Sequence, residues 1–108
     1  MRRGEVYWYR FARPDKKRPV LVLTRTMLLG HLTTVTVAAV TRTIRDVASE
    51  VILDEQHGLP ARCAANLHNV FTLRRADLGA YIATLPPDVM ARVDRAMVFA
   101  LGVGERGG

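Results

Sequence analysis

The sequence predicts a mainly β protein, a small and strongly curved barrel with one packed helix, and three observations carry that prediction. Several short β-prone runs follow one another with little helical spacing between them. Pro86, Pro87 and Asp88 then open the one convincing helical pattern, close to the C-terminus. At 108 residues the chain is long enough for a single core and too short for two. The expected organisation is one domain over residues 1–104, with residues 105–108 as a frayed tail.

Residues 5–11 set Val6, Trp8 and Arg10 against Tyr7, Tyr9 and Phe11, a β-prone run with aromatics on both sides. Tyr7, Trp8 and Tyr9 could stack bases, but at least one face of a strand is core, and Trp8 is expected there. Residues 12–17 make a charged turn around Pro14 and Asp15. Pro19 begins the next strand, where a missing N–H is tolerated, and residues 20–23 are apolar on both faces, as in a central strand. Residues 24–33 have no clean period and are expected as a loop with a helical turn. Residues 34–41 alternate threonine and valine before turning apolar, the clearest strand of the chain.

A cationic connection, residues 42–48, leads to a short strand at residues 50–53. The loop 54–60 follows, with Gly58 and Pro60, and His57 there is expected in solvent. Residues 63–72 form another strand, and Cys63 is read as a small core residue. Residues 74–78 suit a helical turn, and residues 80–85 a last short strand. In the helix, Val89, Met90, Val93, Met97, Ala100 and Leu101 line up as an apolar stripe, which Gly102 and Gly104 bring to an end.

Composition narrows the function. Hydrophobic residues make up 49% and charged residues 24%, as in a folded globular protein. No apolar run approaches the roughly 20 residues needed to span a bilayer, and no apolar signal core follows Arg2 and Arg3. A cytoplasmic protein is expected. Cys63 is the only cysteine, so an internal disulfide and a cysteine-built zinc site are both excluded. His31, His57 and His68 stand at wide spacings, and neither metal nor cofactor is expected. His31, in an irregular loop, is a candidate neighbour of the site.

The net charge of +6 is unevenly placed. Residues 1–45 hold ten basic side chains against Glu5 and Asp15, a surplus of +8, whereas the remainder holds six basic against eight acidic. Fourteen of the sixteen cations are arginine, whose planar fork pairs bidentately with phosphate. A polyanion partner, nucleic acid or an acidic peptide, stands beside the plainer reading of a solubilising surface. Arg18 enters the second strand and Thr41 closes the third. An arginine and a hydroxyl at strand ends point to phosphate handling, although either residue also fits a loop that merely bonds its own backbone.

The order R-G-E-V-Y-W, K-R-P-V-L-V and T-V-T-V-A-A-V-T over the first forty-one residues resembles the MazF/PemK family of toxin ribonucleases. The resemblance implies an SH3-like barrel of the CcdB/MazF type, with Arg18 and Thr41 as the catalytic pair. It implies a metal-independent, sequence-preferring endoribonuclease that cleaves single-stranded RNA to a 2′,3′-cyclic phosphate and a 5′-hydroxyl. RNA carries its own nucleophile in the 2′-OH, so arginine need only stabilise the charge that develops on phosphorus. Arg13, Lys16, Lys17, Arg42, Arg45 and Asn69 are the expected RNA contacts. Partners implied are a second copy of the chain, for which the wide helical stripe leaves room, and a co-expressed acidic antitoxin of the MazE kind.

Two segments depart from the family pattern. Residues 12–17 are shorter and more basic than the loop many members carry. His68, Asn69, Val70, Phe71 and Thr72 replace a Glu-Gln-Ile-Arg-Thr stretch, with only the threonine literal. Two other readings share the fold: a gyrase poison of the CcdB kind, or a barrel that binds RNA without cutting it. The chain lacks the Trp-Gly-Ile ending of the former, and Trp8 is its only tryptophan.

Overall fold

The computed structural model describes residues 1–12 and 16–105 of the chain. Arg13, expected to contact RNA, lies outside the described residues together with Pro14 and Asp15, as do the last three residues of the expected tail. Six strands run in the order β1 (Glu5–Arg10), β2 (Lys17–Val22), β3 (Thr34–Thr41), β4 (Glu50–Leu53), β5 (Cys63–Arg74) and β6 (Leu78–Thr84). Between β2 and β3 lies α1 (Thr26–Leu29), the helical turn expected there, and α2 (Pro87–Leu101) closes the chain. Short 3-10 turns follow β4 and β5. No helix among the described residues is long and apolar enough to cross a membrane.

The strands form one antiparallel sheet in the order β4-β5-β3-β2-β1-β6. It curls far enough for its two ends to meet. Val6 of β1 and Val51 and Leu53 of β4 share one buried cluster with Val89, Val93 and Ala96 of α2. The turn after β4 presses on β6: a Cβ on Gly58 would stand 2.8 Å from that of Ala83, and Gly58 itself has φ +87°. Only glycine meets both demands. The other face of the sheet carries a second cluster of Val20, Val22, Leu29, Val35, Val37 and Leu73, flanked by Tyr7, Tyr9, Phe11 and Phe71. Alternation along each strand assigns the two sets, and it explains why residues 20–23 are apolar throughout.

α2 starts with Pro87 in its first turn beside Asp88, and ends where Gly102 adopts φ 66° and gives its N–H to the carbonyls of Phe99 and Val98. Its buried line is Val89, Val93 and Ala96, with Met90, Met97 and Ala100 partly covered. Leu101 falls off the expected stripe. At 3.6 residues per turn it lies roughly 120° round from Val89, and it is exposed together with Val98 and Phe99.

β5 is longer than expected and is broken by a bulge. Ala38 pairs with Val70 but Ala39 pairs with Asn66, so residues 67–69 have no partner on β3. The bulge turns the second half of the strand over: Cys63, Ala65 and Leu67 pack on the α2 side, while Leu73 and Phe71 pack on the other.

Candidate nucleic-acid cleavage site

Hydrogen-bonded pairing dictates where the site opens. β2 pairs with β1 along all but its last residue, from Val6↔Leu21 to Arg10↔Lys17. β3 pairs with β5 to its end at Thr41↔Ala64. Between them, the β2–β3 ladder runs only from Val22↔Val37 to Val20↔Ala39 and stops. The next residue of β2 is Pro19, which has no N–H to extend the ladder. Both strands continue, and they splay. Carried two steps further, the register would set Arg18 opposite Thr41. The two residues instead face a cavity of about 480 Å³ that opens between the strand ends.

Around this cavity stand Lys16, Lys17, Arg18 and Arg42, four cations with no carboxylate among the described residues of the walls. Thr41 is half-buried and Arg18 exposed. The N–H of Thr43 donates to Thr41 Oγ1 at 3.1 Å. That bond occupies an acceptor lone pair and leaves the hydroxyl proton to be donated elsewhere. Thr41 therefore meets both expectations for a strand-end threonine, since it bonds its own backbone and still offers its proton to the cavity. With an arginine fork, a hydroxyl donor and three further cations, the arrangement can hold a phosphate and stabilise charge building on it. Among the described residues neither a carboxylate nor an imidazole lines it.

Trp8 corrects the sequence-based expectation. It is half-buried and forms a wall of the cavity, with Lys17 Nζ above its ring at 5.4 Å from the centroid. The walls also include Pro19, Val40, Pro60, Ala61 and Cys63. Cys63 is buried as expected, and burial pushes its thiol up from 9.0 to about 11, with Asp54 adding to the shift and Arg42 opposing it. It stays protonated at neutral pH. Sequence reasoning missed Pro60 and Ala61, which arrive from the connection before β5 and carry no chemical signature. Trp8 was legible as one of three aromatics able to stack a base, but alternation favoured the core for it.

Other candidates lie elsewhere. Asn69 sits exposed in the β5 bulge and is not a wall of the cavity. Arg45 is exposed beyond it, in a connection folded around Glu50, whose Oε1 accepts from the N–H groups of Arg45 and Asp46. His31 precedes β3 at the end away from Thr41, and the strand that ends at Thr41 runs eight residues at about 3.3 Å each. His57 is partly covered and bonded, its Nδ1 accepting from the Asp54 N–H at 3.1 Å. His68 Nδ1 meets Ser49 Oγ at 2.6 Å on β5.

Similarity to known proteins places the chain in a family. A family model described as PemK-like, MazF-like toxin of type II toxin-antitoxin system matches residues 2–101. The chain is 41% identical over 91 residues to "Endoribonuclease MazF3" of Mycobacterium tuberculosis, covering 84% of each. It is 41% identical over 88 residues to "Probable endoribonuclease MazF2" of the same organism, covering 81% of this chain and 84% of that one. Among solved structures it is similar to "Mycobacterium tuberculosis toxin MazF-mt6", with TM-score 0.83 and 35% identity over 91% of this chain and 96% of the other. It is also similar to "Endoribonuclease in complex with its cognate antitoxin from Mycobacterial species", with TM-score 0.85 and 25% identity over 95% and 96%.

Proposed function

The chain belongs to the PemK-like, MazF-like toxins of type II toxin–antitoxin systems, and from that premise we propose that it is an endoribonuclease cutting single-stranded RNA between β2 and β3. The observation that carries the reading is the meeting of Arg18 and Thr41 at one cavity with three further cations and, among the described residues, no carboxylate. In the proposed reaction the substrate's 2′-hydroxyl gives up its proton to solvent water, which returns one to Arg18 after the step, and the 2′-oxygen attacks the adjacent phosphorus while the bond from phosphorus to the 5′-oxygen breaks. The products are a 2′,3′-cyclic phosphate and a 5′-hydroxyl. The Arg18 guanidinium binds the non-bridging oxygens as their charge grows and supplies the proton to the leaving oxygen. The Thr41 hydroxyl donates to the same phosphate. The nucleophile comes from the substrate, so these side chains need no metal to generate one. Lys16, Lys17 and Arg42 hold flanking phosphates, and Arg45 one further along the strand.

An acidic antitoxin segment would occupy the same cationic ground, which favours carboxylates for the reason it favours phosphates, and would exclude RNA with a salt-sensitive affinity. The exposed Val98, Phe99 and Leu101 at the end of α2 support a homodimer, and the protein is assigned to the cytoplasm. The test is cleavage of a broad RNA panel in EDTA by the wild type and by Arg18→Ala. Cleavage by the wild type alone is expected. Equal cleavage by both, or none by either, would overturn the assignment.

A further inference from the structure

We propose that the apolar half of the cavity is a nucleobase pocket, in which Trp8 stacks a base next to the phosphate held by Arg18 and Thr41. The inference rests on the ribonuclease reading and adds to it a recognition element. A site for phosphates alone would need only the cationic rim. Here the cationic rim and the apolar walls Trp8, Pro19, Val40, Pro60, Ala61 and Cys63 share one cavity of about 480 Å³, within the range of small-ligand pockets, about 300–1,000 Å³. Pro19 and Pro60 give it rigid sides. The Cys63 thiol, kept neutral by burial, does not spoil its apolar character.

Strand alternation separates the two halves of the task. Val6, two residues before Trp8, is fully buried on the α2 side, and so are Leu21 and Ala38, which stand two residues from Pro19 and Val40. Arg18 lies two residues from Val20, and Thr41 four from Val37, both on the opposite side. The splay of β2 from β3 lets both sets line one opening, so a nucleotide can leave its phosphate with Arg18 and Thr41 while its base enters beside Trp8.

The Trp8 ring is available for this. Its face is covered by a lysine ammonium at 5.4 Å, a contact worth about a two- to fivefold effect at an exposed site. Stacking of a base on an aromatic side chain is worth about 5- to 150-fold. A base therefore displaces Lys17 from the ring, and the freed ammonium gains a phosphate. Because the described walls carry no side-chain amide or carboxylate to read a base edge, the pocket grips by stacking and prefers purines over pyrimidines only modestly.

Trp8 is the only tryptophan of the chain, so its emission reports the pocket directly. The probe is a short RNA methylated at every 2′-oxygen, which cannot be cleaved, with binding followed independently by anisotropy of a label on the RNA. Saturable quenching of Trp8 is expected. An abasic residue next to the target phosphate should abolish the quenching and weaken binding about tenfold. Trp8→Ala should lose the same factor with intact RNA and no further factor with abasic RNA, while Trp8→Phe keeps most of the affinity. Bound RNA that leaves the emission unchanged overturns the pocket, and so does quenching by an acidic peptide but not by RNA, which would assign the recess to a protein partner. Cleavage of unmodified RNA with Trp8 unmoved removes the pocket and leaves the nuclease standing. Quenching without any cleavage does the reverse.

Discussion

The two ends of the β2–β3 pair show what one pair of strands can be used for. At the end near α1 the strands are zipped. Val22 faces Val37, the Leu23 N–H donates to the Thr36 carbonyl at 2.9 Å, and Thr24 Oγ1 accepts from the Thr36 N–H at 2.8 Å. At the other end the ladder stops at Val20↔Ala39 and the cavity opens. The cations are used differently as well. Near the zipped end Arg3 donates to the Leu23 carbonyl and to Asp94, and Arg75 to the carbonyls of Leu29 and Leu32. At the open end, Lys16, Lys17, Arg18 and Arg42 take part in no ion pair among the described residues. One end holds the fold and the other presents unspent charge. Pairing that lapses at a proline is what separates them.

The sharpest way to break the comparison is at the open end. Arg18→Ala removes the group aimed at the developing charge and should lower the cleavage rate about 10²- to 10³-fold, while the thermal midpoint stays within a degree or two because Arg18 is exposed. Single-turnover cleavage beside a calorimetric scan checks both halves. A large stability loss would show that the open end also holds the fold. The converse change is Leu29→Ala, which empties a position only 2% exposed beneath α1. It should cost about 2–3 kcal/mol by urea titration, at the low end for a truncated core leucine because so short a helix can settle inward. Cleavage per folded molecule should be unchanged.

A smaller effect sharpens the role of the hydroxyl. Thr41→Val keeps shape and removes the donor, so cleavage should fall about 10- to 100-fold, the worth of a hydrogen bond to a charged group. Thr41→Ser should stay within a few-fold of wild type. If valine and serine behaved alike, the hydroxyl would have no part in the reaction. The subtlest prediction concerns pH. The Cys63 thiol is raised from 9.0 to about 11 in the folded chain. The folded state thus holds that proton more tightly than the unfolded one, and the resulting stability is complete below pH 9 and lost as pH climbs through about 11. Denaturation midpoints measured from pH 8 to pH 11 should fall less steeply for Cys63→Ala. Tyr7, raised to about 12 by burial and by its bond to Glu5, titrates in both proteins and cancels from the difference.

Local signals in the sequence determined most of the elements. The threonine–valine alternation marks β3 at its observed bounds, Pro86, Pro87 and Asp88 mark the start of α2, and Gly102 marks its end. Arg18 and Thr41 were legible as strand-end residues, and the resemblance to the toxin ribonucleases joined them into a pair. Periodicity failed where a contact from elsewhere decides the outcome. Trp8 alternates with Tyr7 and Tyr9 in a run that leaves either face free to be core, and only the splay of β2 from β3, with Pro60 and Ala61 arriving from a distant connection, turned it into a wall of the site. Asn69 occupies a motif position, yet a three-residue bulge displaces it from the register that a continuous strand would give. Short-range order follows from side-chain shape and hydrogen-bonding capacity along the chain. The end of a ladder, a bulge and the two sides of a cavity depend on pairings between residues far apart in sequence, and those the tertiary structure alone decided.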